Sequence, residues 1–338
     1  MLNTKVFYTR KIHGPGGGKT SGDIFEKLLP NYVSVVKEEK EADIIHNYDG
    51  ILKEFSKPTV FVVNSWKYTC PACIQCTTYN SKICEKGSVL KCSRCYFNNQ
   101  SLNTINKIKN GFLGSLYYLR NSYNRDKLKK YKVIAISNNL KNILRINGIN
   151  AEAIYLPINP LFLEEGKEKA HQEKDFFYSG NYDWLHGFLL LLESRKFSNL
   201  PLKTAGWGIF SNRIKNTNIK DLGLLKSQEL VKKALESSYA FICPILHNNF
   251  SVSMIEAMAM LKPVIAINRG FSKEIIQDGK NGLLIEPDPK NLADAMQYLY
   301  DNETEAKKLG KNARKTIIER FHPDIIFNKY IKVYKSLL

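Results

Sequence analysis

Apolar and polar positions alternate along this chain in two separate series. The first holds short apolar runs at Lys5 to Arg10, Tyr32 to Val36, Asp43 to His46, Thr59 to Asn64, Val133 to Ser137 and Ala153 to Leu156. A Gly-rich turn follows the first run, and a helix is predicted to begin near Asp23. Helical spacing fills other intervals, as over Asn139 to Ile146. The second series begins after Pro157-Ile158-Asn159-Pro160, whose prolines suit a linker. Its strands are expected at Asp175 to Tyr178, Leu202 to Ala205, Tyr239 to Cys243, Val264 to Ile267 and Leu283 to Ile285. Gly279 and Asn281-Gly282 supply a helix stop and a turn before the last of these. Short apolar runs separated by helical patterns predict parallel sheets with helical crossovers, here in two α/β halves.

The length of 338 residues fits about two domains. An apolar fraction of 43% and an aromatic fraction of 11% are those of an ordinary globular chain. The densest apolar run, Phe188 to Leu192, is far short of the ~20 residues that span a bilayer. Met1 to Lys11 lack an apolar signal segment, so a cytoplasmic protein is expected.

The net charge of +18 favours anionic partners: nucleotides, phosphorylated acceptors, lipid surfaces or nucleic acid. It concentrates between Tyr96 and Asn150, where ten basic residues accompany one acidic residue, Asp126. Ile105, Ile108, Phe112, Leu113, Leu116, Leu119 and Tyr123 recur there at helical spacing. Two interpretations stay open: a helix lying on an anionic membrane surface, or one packed on its own domain with a solvated basic face.

The most specific chemistry is in Asn248-Asn249-Phe250-Ser251-Val252-Ser253-Met254-Ile255-Glu256-Ala257-Met258-Ala259, followed by Lys262-Pro263-Val264-Ile265-Ala266. Glu256 is the one charged side chain from Ser251 to Leu261, in a segment apolar nearly all round. Such a helix belongs in an interior, where an unpaired carboxylate is costly. Either a structural Lys or backbone donor answers the charge, or a ligand does. This stretch resembles the donor-site signature of retaining glycosyltransferases of the family-four (group 1) type. That resemblance implies an α/β GT-B fold, two Rossmann-like domains facing across a cleft. It implies an acceptor domain over 1–157, a donor domain over 158–322 and a C-terminal helix over 323–338 that crosses back. It also implies that Glu256 receives the ribose hydroxyls of a nucleotide-sugar donor, with Gly180, Asn181, His186, Phe250, Ser251, Val252, Gly270 and Lys273 around the same ligand.

The chain departs from the family at several positions. Asn248 stands eight residues before Glu256, where a sugar-contacting Glu is usual. Its amide can bond a hydroxyl but brings no charge. Asn181 and His186 occupy the places of the Arg and Lys that clamp the diphosphate. Lys19, Lys273, a protonated His186 and the N–H groups opening the Ser251 helix are the candidate substitutes. In the first half, Asn64-Ser65 replaces the usual His-Asp, while His46 is retained as a candidate acceptor-side catalytic residue. Unusual donor chemistry, an unusual sugar and loss of activity are the three explanations. Glu256, Pro263, Gly270, Glu274 and Asn281-Gly282 favour retained activity. No Asp-x-Asp motif is present, so no catalytic metal is expected.

Gly14-Pro15-Gly16-Gly17-Gly18-Lys19-Thr20 follows the first strand. Its tail looks like an ATPase phosphate loop, but His13 occupies the position of that motif's first glycine. No apolar strand ending in Asp accompanies it, which excludes the ATPase interpretation. Backbone N–H groups at Gly16, Gly17 and Gly18, beside Lys19, can still hold a phosphate.

Cys70, Cys73, Cys76, Cys84, Cys92 and Cys95 fall within 26 residues. Such clusters in cytosolic chains bind metal more often than they form disulfides. Some glycosyltransferases of this class carry a similar insertion, here 66–96. That likeness implies a structural zinc on Cys70, Cys84, Cys92 and Cys95. An iron–sulfur cluster lacks its expected fourth spacing, and disulfides suit a hyperthermophile.

Together these features point to a cytoplasmic, metal-independent enzyme, peripheral to the inner face of the membrane. It would transfer a sugar with retention from a nucleotide-sugar to a polysaccharide or lipid-linked acceptor. The rival is a non-catalytic zinc-containing module that binds nucleic acid or an anionic surface. Glu256 and its surroundings fit only the enzyme, which makes nucleic acid the less favoured partner.

Overall fold

The computed structural model describes residues 2–10, 17–50, 52–70, 84–97, 104–164, 174–215 and 217–338. The chain divides into two compact units: Met1–Leu156 together with Ile326–Leu338, and Pro157–Ile325.

In the first unit the elements run β1 (Leu2–Arg10), α1 (Gly17–Leu28), β2 (Val33–Val36), β3 (Ile44–Tyr48), β4 (Thr59–Val63), α2 (Val89–Phe97), α3 (Thr104–Leu128), β5 (Lys132–Ala135), α4 (Asn138–Ile146) and β6 (Glu152–Ala153). The strands form one parallel sheet in the order β2-β1-β3-β4-β5-β6. Thr-Val-Phe-Val-Val of β4 is buried at every position. A β-branched run covered on both faces is what an interior parallel strand requires. Ser137 caps α4, its Oγ accepting from Leu140 N at 3.1 Å, and the helix buries Leu140, Ile143 and Leu144. Helix α1 starts at Gly17, earlier than the expected start near Asp23, so the glycine turn feeds directly into its first turn.

The second unit runs β7 (Phe176–Asn181), α5 (Phe188–Ser194), β8 (Leu202–Trp207), β9 (Lys220–Asp221), α6 (Gln228–Glu236), β10 (Ala240–Cys243), α7 (Val252–Ala259), β11 (Val264–Ile267), α8 (Gly270–Ile275), β12 (Leu283–Ile285), α9 (Pro289–Asp301) and α10 (Glu303–Phe321). Its parallel sheet has the order β12-β11-β10-β7-β8-β9. Its core gathers Phe176, Tyr178, Phe188, Ile242, Ile265 and Leu309, with Tyr182 stacked on Phe188 at 4.1 Å between ring centroids. Strand β9 escaped sequence analysis because it is two exposed polar residues with no apolar pattern. Helix α9 opens as its residues dictate, Asp288 Oδ1 accepting from Lys290 N and Asn291 N while Pro289 takes the first position. Helix α11 (Pro323–Lys335) ends the chain, and from Ile326 onward it belongs to the first unit.

In each sheet the strand order reverses once, between β1 and β3 and between β7 and β10. Loops leaving the carboxyl ends of such a strand pair diverge and leave a crevice, the usual ligand position in open parallel sheets.

Candidate functional site

At the reversal in the second sheet, β7 delivers Gly180 and Asn181, and β10 delivers the loop from Pro244 to Ser251. Two glycines hold these loops together. Gly187 has φ +71°, and a Cβ there would lie 1.9 Å from Pro244 O. Gly270 has φ +56°, and its Cβ would lie 2.6 Å from Asn248 O. Neither position admits a side chain. Leu246 N donates to Leu185 O at 3.0 Å, completing the link between the two loops.

Glu256 sits in the middle of α7, between buried Met254, Ile255, Ala257 and Met258. It is 3% exposed, and its Oε1 has no hydrogen-bond partner among the described residues. Burial pushes its carboxyl up to about 8. The bland alternative, a structural lysine, is not met: buried Lys262 donates instead to Ser238 O at 2.7 Å and Glu236 O at 3.3 Å. An acceptor so placed is costly unless a donor arrives from outside the chain.

The surrounding residues assemble as follows. Ser251 is the N-cap residue of α7 but gives no side-chain cap; its hydroxyl lies 3.6 Å from buried Cys243 Sγ. Buried Asn248 accepts from Phe271 N through Oδ1 at 3.1 Å, which fixes the amide plane against α8. Phe250 packs on Phe271 at 4.6 Å between centroids, and Val252 is half-buried in the first turn of α7. His186 is held by its own loop, with Nδ1 2.8 Å from Asp183 Oδ1. Burial opposes ionisation of Asp183, but the hydrogen bonds and charge of His186 and nearby backbone N–H groups prevail and lower its carboxyl. A cationic His186 is therefore already balanced, which weakens it as a substitute phosphate clamp.

Sequence analysis missed Arg269. It precedes Gly270 at the carboxyl end of β11, and its charge, added to burial, lowers His247 to about 4. Neither Arg269 nor exposed Lys273 makes an ion pair among the described residues. Its signal was the Arg-Gly step after a buried strand, hidden because the usual cations come from a different loop.

In the first unit, Gly17, Gly18 and Lys19 open α1 after the β1 strand, while Gly16 lies outside the described residues. Beside them at the sheet reversal, Asp49 ends β3 in the left-handed region, φ 50°. Its Oδ1 is 3.1 Å from Lys67 Nζ. This strained pair is a second feature no sequence pattern announced.

His46 lies in the core of the first unit. It is fully buried in β3, with Nδ1 2.6 Å from Tyr334 Oη, among the rings of Tyr8, Phe25 and Tyr330. Burial lowers its imidazole to about 3. The ring is thus neutral and packed among aromatic side chains, and its Nε2 has no hydrogen-bond partner among the described residues.

The cysteine expectation also changes. Burial, together with the neighbouring thiols, raises Cys84 and pushes Cys92 up to about 12. Yet among the described residues no three His, Cys, Asp or Glu side chains are arranged to hold a metal ion. The described residues thus give no support to the expected zinc; Cys73 and Cys76 lie outside the described residues.

Two parallel α/β sheets, each with one reversal, define the GT-B class. Residues 162–316, a little under half of the chain, match the family model "Glycosyl transferases group 1". It is 29% identical over 245 residues to an uncharacterized glycosyltransferase of Methanocaldococcus jannaschii, covering 68% of this chain and 65% of that one. It is 25% identical to the O-antigen chain mannosyltransferase C of Escherichia coli, covering 48% of this chain and 47% of the relative. The matched stretch thus spans less than two thirds of either relative. Among solved structures, Anabaena HepE in complex with UDP superposes with a TM-score of 0.69 at 14% identity, over 99% of this chain and 100% of that one.

Proposed function

We propose that this protein is a metal-independent, retaining glycosyltransferase that moves a sugar from a nucleotide-sugar donor to a polysaccharide or lipid-linked acceptor. The observation that carries the proposal is the Glu256 carboxylate, buried in α7 without a partner. The vicinal hydroxyls of a ribose are the donors it lacks. Two such bonds to an ionised carboxylate would be stronger than bonds between neutral groups. Arg269 and Lys273 flank Gly270 and would offset the diphosphate charge in place of the absent clamp. The free N–H groups of the first turn of α7 add to this. Asn248, held through its Oδ1, places an amide against the donor sugar. Because an amide carries no charge, the oxocarbenium character of the transition state must be balanced by the leaving phosphate itself. That phosphate then takes the proton of the acceptor hydroxyl as the new glycosidic bond forms on the same face. The chain contributes preorganised dipoles and cations rather than a nucleophile. The UDP held by HepE supports a nucleoside diphosphate as the common part of the donor. Zinc on the four cysteines is not part of this proposal, since no metal-holding group is found among the described residues.

Calorimetric titration with UDP and a panel of nucleotide-sugars tests the donor site, with Glu256→Gln as the paired variant. Saturable binding by the wild type that weakens in the variant is expected. Equal binding by both proteins would overturn the assignment of Glu256. Product analysis by anomeric coupling constants, in the presence of a chelator, tests retention and metal independence.

A further inference from the structure

Helix α3 carries an apolar stripe that its own fold does not use. Phe112, Leu116, Leu119 and Tyr123 are 67%, 44%, 54% and 62% exposed. Their intervals of four, three and four residues place them along one face. Gly114, Arg125 and Leu128, the buried positions of the same helix, lie about 180° away at ~100° per residue. The packing face and the stripe are therefore opposite. Core packing accounts for the first and not for the second. Neighbouring α2, which packs alongside α3, leaves Leu90 82% exposed and Phe97 42% exposed.

The charge around the stripe has one sign. From Val89 to Leu128 there are seven Lys and Arg residues and one acidic residue, Asp126. Arg120 and Lys127 border the stripe on one side and make no ion pair among the described residues. Lys127 Nζ lies 4.7 Å from the Tyr123 ring centroid, which keeps the cation at the stripe's edge. Three nearby basic residues are committed elsewhere. Arg125 is buried and donates to Tyr68 O, Lys129 pairs with Asp126, and Lys130 is 3.6 Å from Glu54.

We propose that this face seats the protein on an anionic lipid bilayer, with Phe112, Leu116, Leu119 and Tyr123 in the boundary between headgroups and acyl chains, and Arg120 and Lys127 against lipid phosphates. Charge decides between the candidate occupants. A second copy would bring two positive faces together, which repel. A nucleic acid would use the cations and could stack on Phe112 and Tyr123, but it offers nothing to Leu116 and Leu119. A bilayer of anionic lipid answers both parts of the pattern at once. The inference is independent of the donor site, since it rests on helix α3 of the first unit and Glu256 lies in the second.

Co-sedimentation of the full chain with vesicles tests it, comparing phosphatidylglycerol–phosphatidylcholine mixtures with phosphatidylcholine alone at low and high salt. Binding to the anionic vesicles is expected, weakened by salt and absent with the neutral ones. Leu116→Ser with Leu119→Ser should lower partitioning about tenfold or more, and Arg120→Glu with Lys127→Glu should do the same. Both variants should keep the wild-type melting temperature and UDP affinity, because the altered side chains are exposed. Unaltered partitioning of the variants, equal binding to neutral vesicles, or tighter binding to duplex DNA would overturn the proposal. So would self-association in sedimentation velocity that the serine variant abolishes without any lipid binding in the wild type.

Discussion

His46 and Glu256 make an instructive pair. Each is a lone titratable side chain in an apolar setting, one in the sheet of the first unit and one in a helix of the second. Both are almost wholly shielded from water, and burial drives each toward its neutral form, His46 down to about 3 and Glu256 up to about 8. Their hydrogen bonding differs. Nδ1 of His46 meets the Tyr334 hydroxyl at 2.6 Å inside a shell of aromatic rings. Oε1 of Glu256 meets nothing among the described residues. Burial alone therefore does not mark a functional group. His46 also has a buried nitrogen without a partner among the described residues, Nε2, so a lone unpartnered atom is not the mark either. What separates the two is that a neutral imidazole bonded at Nδ1 forgoes one hydrogen bond, while an ionised carboxylate with no donor bears the cost of a buried charge until a ligand arrives.

The contrast can be broken most forcefully at His46. Replacing it by Ala removes a packed ring and should cost about 3 kcal/mol of stability, in the range of large core truncations, with UDP affinity unchanged. Denaturant unfolding and calorimetry measure the two quantities. A loss of UDP binding at retained stability would return His46 to the active site.

Glu256→Gln should show the reverse. Losing a charged acceptor costs roughly 1.5–3 kcal/mol of donor binding, which is about tenfold or more in affinity. Its stability at neutral pH should match or exceed that of the wild type, since a buried ionisable group becomes neutral. A large fall in melting temperature with intact nucleotide binding would assign the carboxylate to structure.

The two residues also impose opposite pH dependences. Glu256 has a folded pKa raised from 4.5 to about 8, so between these values the folded chain holds a proton that the unfolded chain has lost. Its stabilising contribution is complete below about pH 4.5 and is lost as pH rises through about 8. His46 has a folded pKa lowered from 6.5 to about 3, so its contribution is present above about pH 6.5 and is lost as pH falls toward 3. Melting temperatures of wild type and Glu256→Gln across this range should diverge, the wild type losing ground as pH rises. Ribose hydroxyls favour the ionised carboxylate, so UDP binding near neutral pH should release a proton and tighten as pH rises toward 8. Titrations in buffers of different ionisation enthalpy count that proton, and the variant should release none through this site. The smallest effect is expected from Tyr334→Phe, which leaves Nδ1 of His46 buried without its partner and should cost ~1 kcal/mol with no change in nucleotide affinity.

Several elements were legible before any fold was known. The continuous apolar runs at Thr59 to Asn64 and Val264 to Ile267 became interior strands, because residues buried on both faces must be apolar throughout. Strand β9 was not legible, since an edge strand of Lys220 and Asp221 buries nothing that a pattern could show. The region of Glu256 was legible from its lone charge in an apolar helix and from the signature around it. Arg269 was missed because its importance comes from standing beside Gly270 and His247 at the end of β11, a spatial fact with no local pattern. The cysteine spacing suggested a metal site that is not found among the described residues, since spacing sets only how far the chain can reach.

Burial is therefore largely a local property of this chain. Periodicity over a few residues decided which faces turn inward, and with them the two parallel sheets, the apolar α7 helix and the carboxylate inside it. Partnership is not local. His46 and Tyr334 are 288 residues apart, and only the return of α11 to the first unit joins them. Whether an inward-facing polar group is satisfied depends on hydrogen bonds, which are directional, short in range and indifferent to sequence distance. Tertiary structure alone could settle that His46 Nδ1 has a partner while, among the described residues, His46 Nε2 and Glu256 Oε1 do not.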